Sequence, residues 1–259
     1  STGDYAAMIA LKCETDFVAK NADFVALTQA ILDAAIANKC QTIDEIKALP
    51  MGSGTIADAI VERSGITGEK TELDGFNFVS GPCTAVYNHM NKNQLCTIVA
   101  FNKVCDEKIA HEICMQIAAM NPQYLSRNDM SADELAKLRE ITEKSALNDP
   151  ASLPKPILNK LIDKAINDKV WSDADIATYE EHKSNMQYLF NFLSKEAAAQ
   201  LAELALADEA NIVADKIFNG LVEGRVSKQL KEICLMDQVY VKAEDGKQSV
   251  AKYLESVSK

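Results

Sequence analysis

Between residues 129 and 221 apolar side chains recur almost only at helical spacing, and no other feature limits the folds open to this chain so strongly. Ser131-Ala-Asp-Glu134 has the capping-box pattern that opens a helix, carried on by Leu135, Leu138 and Ile141. Pro154 and Pro156 break the chain, and the stretch 149–156 reads as a flexible joint. Ile157, Leu161 and Ala165 mark another helix. Ser172-Asp-Ala-Asp175 starts the next, where Tyr179, His182, Met186, Leu189 and Leu193 follow 3-4-3-4 spacing. That spacing predicts a coiled-coil seam, continued by Ala197 and Leu204. Val213, Ile217 and Leu221 close the block.

The flanks are mixed. Ala7, Ile9, Leu11 and Cys13 alternate with Met8, Ala10 and Lys12, the period-two signature of a strand. A helix follows, opened by Asn21, with Phe24, Leu27, Ile31 and Ala34 on one face. A shorter helix is predicted from Thr55 to Ser64, with Gly65 suited to its C-terminal stop. Strand-like runs cover Leu73–Val79, Cys83–His89 and Gln94–Phe101, and Asn91-Lys92-Asn93 turns the last two into a hairpin. From Asp106 to Met120 an amphipathic helix is expected to bury Ile109, Ile113, Gln116, Ile117 and Met120 before Asn121-Pro122 ends it. The tail predicts a strand at Gln238–Lys242 and a helix at Ser249–Val257. A mixed core interrupted by a helical hairpin is the simplest organisation.

Composition narrows the function more than the fold. Apolar residues at 47% and charged residues at 25% of 259 exclude disorder as the main state. The formal charge of −11 argues against a broad nucleic-acid face, because phosphate binding needs clustered Lys and Arg, and it disfavours an anionic membrane surface for the same reason. No apolar run reaches the length of a membrane span. Seven cysteines, odd in number and without a Cys-x-x-Cys pair, argue for reduced thiols in a cytoplasmic protein. Zinc is not expected, since His111 and Cys114 lack a second ligand pair.

No catalytic residue emerges. His182 lies on the seam, His111 early in a helix, and His89 at a strand end where no nucleophile motif offers it a partner. Gly52-Ser-Gly54 lacks the third glycine of a dinucleotide fingerprint, and Gly65-Ile-Thr-Gly68-Glu-Lys-Thr71 lacks the Gly-Lys of a P-loop. One loop resists a purely packing role. Cys13-Glu14-Thr15-Asp16-Phe17-Val18-Ala19-Lys20 follows a strand, precedes a helix, and sets an acid beside a bulky aromatic. Periodicity alone makes Phe17 core; exposed on a rigid turn it becomes a wedge for a partner's pocket.

At this loop the sequence resembles the elongation factor Ts family, whose signature matches residues 13–21, Cys-Glu-Thr-Asp-Phe-Val-Ala-Lys-Asn. Met115 to Leu125 (Met-Gln-Ile-Ala-Ala-Met-Asn-Pro-Gln-Tyr-Leu) and Val222-Glu-Gly-Arg225 with Lys231-Glu-Ile-Cys-Leu235 match it too, in family order. The resemblance implies an α+β fold: two related subdomains with small antiparallel sheets packed on helices, plus a long inserted helical hairpin. It places the first subdomain at 1–82, the second at 83–125 and 222–259, and the insertion at 126–221. The family's N-terminal helical domain and its last strand find no match, so the chain is expected to be an internal fragment with weakened or absent activity.

The function implied is guanine nucleotide exchange on the GTPase elongation factor Tu, without a catalytic group or cofactor of the chain's own. In the family an Asp-Phe pair intrudes near the nucleotide's magnesium site. Carried over, Phe17 is the wedge, Asp16 its polar companion, and Thr15 and Val18 hold the loop. Gly68 and His89 align with positions that touch the same GTPase domain, with Thr67 where the family is commonly apolar. Val241, in Gln238-Val-Tyr-Val241, falls where the family meets the third domain of the partner. Family members also associate through the hairpin, which implies a homodimer. The rival reading is a coiled-coil dimerisation or interaction protein without exchange activity, and an enzyme using a cysteine stands third.

Overall fold

A computed structural model describes residues 1–258, which cluster into two compact units. The first comprises Ser1–Asn121, Tyr240–Gln248 and the residues from Lys252 onward; the second comprises Pro122–Val239 and Ser249–Ala251. Both are built from helices, with small antiparallel strand pairs in the first, which makes the fold α+β as expected.

The first unit begins with strand β1 (Tyr5–Lys12), the single-turn helix α1 (Asp16–Ala19) and the long helix α2 (Ala22–Ala37). Asn21 opens α2 as predicted, its Oδ1 accepting from the amides of Asp23 and Phe24. A short helix α3 (Ile43–Ala48) leads into the two-residue strands β2 (Pro50–Met51) and β3 (Gly54–Thr55), then helix α4 (Ile56–Thr67). Strand β4 (Glu72–Ser80) returns antiparallel to β1, with Tyr5 opposite Ser80 and a bulge between Ala10 and Leu11. Beside that bulge the backbones come close: a Cβ on Gly75 would sit 2.9 Å from the Cβ of Ala10. Strands β5 (Cys83–Asn88) and β6 (Cys96–Phe101) form the predicted hairpin, and helix α5 (Glu107–Met120) follows.

The core under β1 and β4 holds Ile31, Ala35, Ile46, Ile56, Ile60 and Leu73, and Tyr5 anchors the edge by donating to the carbonyl of Cys40 at 2.6 Å. Gly65 does not stop α4. The helix runs two residues further, and Gly68, at φ +69°, takes the left-handed terminal position that glycine adopts without strain. Helix α5 buries Ile113 and Gln116 as expected and adds Ala110, Glu112 and Cys114, while Ile109 and Ile117 are half-buried and Met120 is exposed. Glu112 and Gln116 have hydrogen-bond partners that make their burial tolerable.

The second unit carries helices α6 (Ala132–Leu147), α7 (Lys155–Asn167), α8 (Asp173–His182), α9 (Leu189–Phe192), α10 (Lys195–Ala207), α11 (Glu209–Ala214) and α12 (Lys216–Ile233). Ser131 and Glu134 make the reciprocal capping box, and Ser172 caps α8 through the amide of Asp175. The continuous coiled-coil seam is not formed. Helix α8 ends at His182, a 3-10 segment spans Lys183–Tyr188 with a kink at Asn185, and Ser194 caps α10 afresh. Leu189, Leu193, Ala197 and Leu201 instead turn inward with Trp171 and Phe218 in a core of short helices, and Trp171 Nε1 donates to the carbonyl of Ala197. His182 stacks on Phe192 at 3.9 Å between ring centres.

The tail strand is reduced to one antiparallel bridge, Val239 with Ser249, and helix α13 (Val250–Val257) ends the described chain. Among the described residues no helix is long and apolar enough to cross a membrane.

Candidate functional site

The end of β1 is held by its pairing with β4, Lys12 opposite Glu72, with an exposed ion pair from Lys12 to Asp74 beside it, and the chain then turns sharply into α1. Thr15 makes the turn a helix start: its side chain accepts from the Val18 amide at 3.4 Å, and its carbonyl accepts from Ala19. The loop is also held from across the fold by Glu69. One carboxylate oxygen of Glu69 accepts from the backbone amides of Glu14 and Thr15, each at 3.0 Å, and the other takes the Thr15 hydroxyl. The Thr15 hydroxyl, ahead of the backbone bonds, draws the Glu69 carboxyl below its usual pKa.

Gly68 places Glu69 there. Its left-handed conformation ends α4 and turns the chain, after which Ser64 Oγ donates to the Glu69 carbonyl at 2.7 Å and Thr67 Oγ1 accepts from the Glu69 amide. Arg63, with a side chain 13% exposed, joins α4 to the start of α2 by donating to Asn21 Oδ1 at 3.0 Å and pairing with Asp23. Hydrogen bonds thus hold the loop backbone at Glu14 and Thr15, and its tip is free. Phe17 is 90% exposed, and Asp16 beside it is exposed with Lys20 at 3.8 Å. Such an exposed ion pair contributes little to stability. Val18 is half-buried.

Two other predicted residues are held by separate groups. His89 follows β5 in a turn where its amide donates to Leu95 and its Nδ1 lies 2.9 Å from the Tyr87 hydroxyl. Next to it, Met90 is exposed at φ +55°. Val241 is 49% exposed, and its amide donates to Gln116 Oε1 at 2.8 Å. Around it lies a cluster centred on Glu112, which accepts from Tyr240 at 2.7 Å, Lys242 at 3.0 Å and Tyr253 at 3.1 Å. The hydrogen bond from Tyr240, followed by that from Lys242, pulls the Glu112 carboxyl down to about 2 against the opposing effect of burial.

The structure therefore joins Thr15 to the Gly68 turn through Glu69 and supports Val241 through Gln116 and Glu112. Sequence reading missed Glu69 and Glu112. Glu112 had a signal, an acid on the apolar face of a helix; Glu69 had none, because its partners lie 54 and 55 positions away. Ile66, 65% exposed on α4, is a further apolar surface residue that periodicity did not separate from the core. Among the described residues no group of three or more His, Cys, Asp or Glu side chains is placed to hold a metal ion.

The family profile described as Elongation factor TS matches residues 14–181 and 184–259. The chain is 46% identical over 257 residues to the elongation factor Ts of Bacteroides thetaiotaomicron, covering 98% of this chain and 74% of that protein. It is 45% identical to that of Parabacteroides distasonis over 98% of this chain and 75% of the relative. With that of Phocaeicola vulgatus the identity is 46%, over 97% and 74%.

Proposed function

The chain belongs to the elongation factor Ts family of translation elongation factors, and on that premise we propose that it is a guanine nucleotide exchange factor acting on elongation factor Tu. It binds the GDP-bound GTPase, disturbs the site of the partner's magnesium and phosphates, and promotes GDP release. Thr15, Asp16, Phe17 and Val18 form the intruding element, with Gly68, His89 and Val241 as further contacts.

The observation that carries this reading is the 90% exposure of Phe17 on a backbone fixed by the Glu69 carboxylate. Burying a phenylalanine side chain is worth roughly 1.5–3 kcal/mol. The fold realises little of that at Phe17, so the gain remains for a complex. Because the loop backbone is already ordered, little of it is spent on ordering when the partner docks.

The mechanism is linkage. If the chain and GDP weaken each other's hold on the GTPase, the effect is reciprocal, and GDP leaves faster from the ternary complex. Asp16 brings a negative charge towards a site where a cation neutralises phosphate, and loss of that neutralisation loosens the nucleotide. Exchange of this kind proceeds by binding alone, with no bond to the chain made or broken. Release of fluorescently labelled GDP from elongation factor Tu tests it: the chain in excess accelerates release. Release at the intrinsic rate contradicts the reading.

A further inference from the structure

The thiols of Cys83 and Cys105 are in contact, with their sulfurs 3.1 Å apart. The register of the β5–β6 hairpin explains why. Cys83 opens β5 directly opposite Phe101, the last residue of β6. The chain then needs only Asn102, Lys103 and Val104 to curve back before Asp106 caps α5, and this places Cys105 over Cys83. Both residues are half-buried, and they line one cleft with Thr84, Lys108 and His111, so a small solute reaches them. Cys40, Cys114 and Cys234 are buried in contrast.

We propose that Cys83 and Cys105 form a reversible disulfide, a redox modification site that takes hydrogen peroxide as oxidant. A disulfide needs the sulfurs about 1 Å closer than they stand, a movement open to the three-residue link on the Cys105 side. Burial, then the hydrogen bond to Cys83, pushes the Cys105 thiol up to about 12, so Cys105 keeps its proton at neutral pH. Cys83, paired into β5 on the cleft wall, is the attacking thiol, and Cys105, on the short link that can move towards it, is the resolving one.

The chemistry balances in two steps. The Cys83 sulfur attacks the peroxide, breaking its O–O bond, forming a sulfenic acid and releasing one water. The Cys105 sulfur then displaces the sulfenic oxygen, its proton leaving with that oxygen as the second water, and the S–S bond forms. Each sulfur is oxidised by one electron, and the peroxide takes both. The bond ties the first residue of β5 to the residue before the cap of α5, and so restrains the hairpin that carries His89 at its far end. The inference stands independently of the exchange reading.

The test treats the whole chain with stoichiometric hydrogen peroxide, blocks free thiols by alkylation, and maps the digest by mass spectrometry without reductant. The expected result is a peptide pair linked through Cys83 and Cys105, lighter by two hydrogens and separated by dithiothreitol, with the other five cysteines alkylated. Two substitutions fix the order of events. Cys105→Ser leaves a sulfenic acid on Cys83 that dimedone captures, whereas Cys83→Ser leaves Cys105 unlabelled. Full alkylation of both residues after peroxide, their direct passage to sulfinic acids, or linkage mainly between other cysteines overturns the proposal.

Discussion

Glu69 and Glu112 each collect hydrogen bonds from a segment far away in sequence, one at the surface and the other in the interior. Glu69 holds the Thr15 loop, whose partners are two amides and a hydroxyl in contact with water. Glu112 holds the segment around Val241, and two of its three donors are tyrosines, one of them buried, that stack on each other at 4.0 Å. In the exposed case water replaces whatever is lost, so the bonds set a local conformation and little else. In the buried case a lost carboxylate strands its donors, and the fold pays. The same device thus positions one candidate contact at almost no stake in stability and another at a high one.

The comparison breaks most visibly at Glu112. Replacing it by Ala is expected to lower unfolding free energy by about 3 kcal/mol, read as a fall in the urea midpoint. An unchanged midpoint removes the buried carboxylate from the account. Acid sharpens the same point. The folded value of about 2 lies below the ordinary 4.5, so this contribution is present above pH 4.5 and is lost as pH falls towards 2. Urea midpoints between those limits should decline less steeply in Glu112→Ala than in the parent, and equal slopes would contradict the assignment.

A smaller effect is expected at Gly68. Nothing lies within 4 Å of a Cβ added there, so Gly68→Ala carries only the left-handed backbone penalty, about 1 kcal/mol. A cost well above that, in the same urea titration, means a clash that the structure lacks. The smallest stability effect belongs to Glu69→Ala, with a midpoint indistinguishable from the parent's. Its loop loses order, however, and stimulation of GDP release should drop roughly five-fold. A variant that unfolds early yet exchanges normally would invert the comparison between the two carboxylates.

Local signals were legible in sequence. Asn21, Ser131 and Ser172 are helix caps because their side chains accept from amides two or three residues on, and that pattern needs no tertiary information. The β5–β6 hairpin was legible for the same reason, its turn carrying Asn91 and Asn93 at positive φ. The seam through His182 and Leu193 was misread because 3-4-3-4 spacing also suits short helices that converge on one tryptophan. Ser194, a cap in the middle of that run, was the overlooked sign. Phe17 was placed by its motif, while its exposure and the Glu69 clamp depend on the return of β4 to β1 and the left-handed Gly68. Pairing across 60 to 75 positions leaves no trace in local spacing.

The central claim is that Phe17 acts as an exposed wedge on a loop ordered in advance. Labelled GDP release from elongation factor Tu, measured at subsaturating chain with Phe17→Ala beside the parent, tests it most directly. The expected result is stimulation reduced about ten-fold or more, the loss of a hot-spot aromatic, with an unchanged urea midpoint because the side chain is 90% exposed. Equal stimulation by the two chains would contradict it.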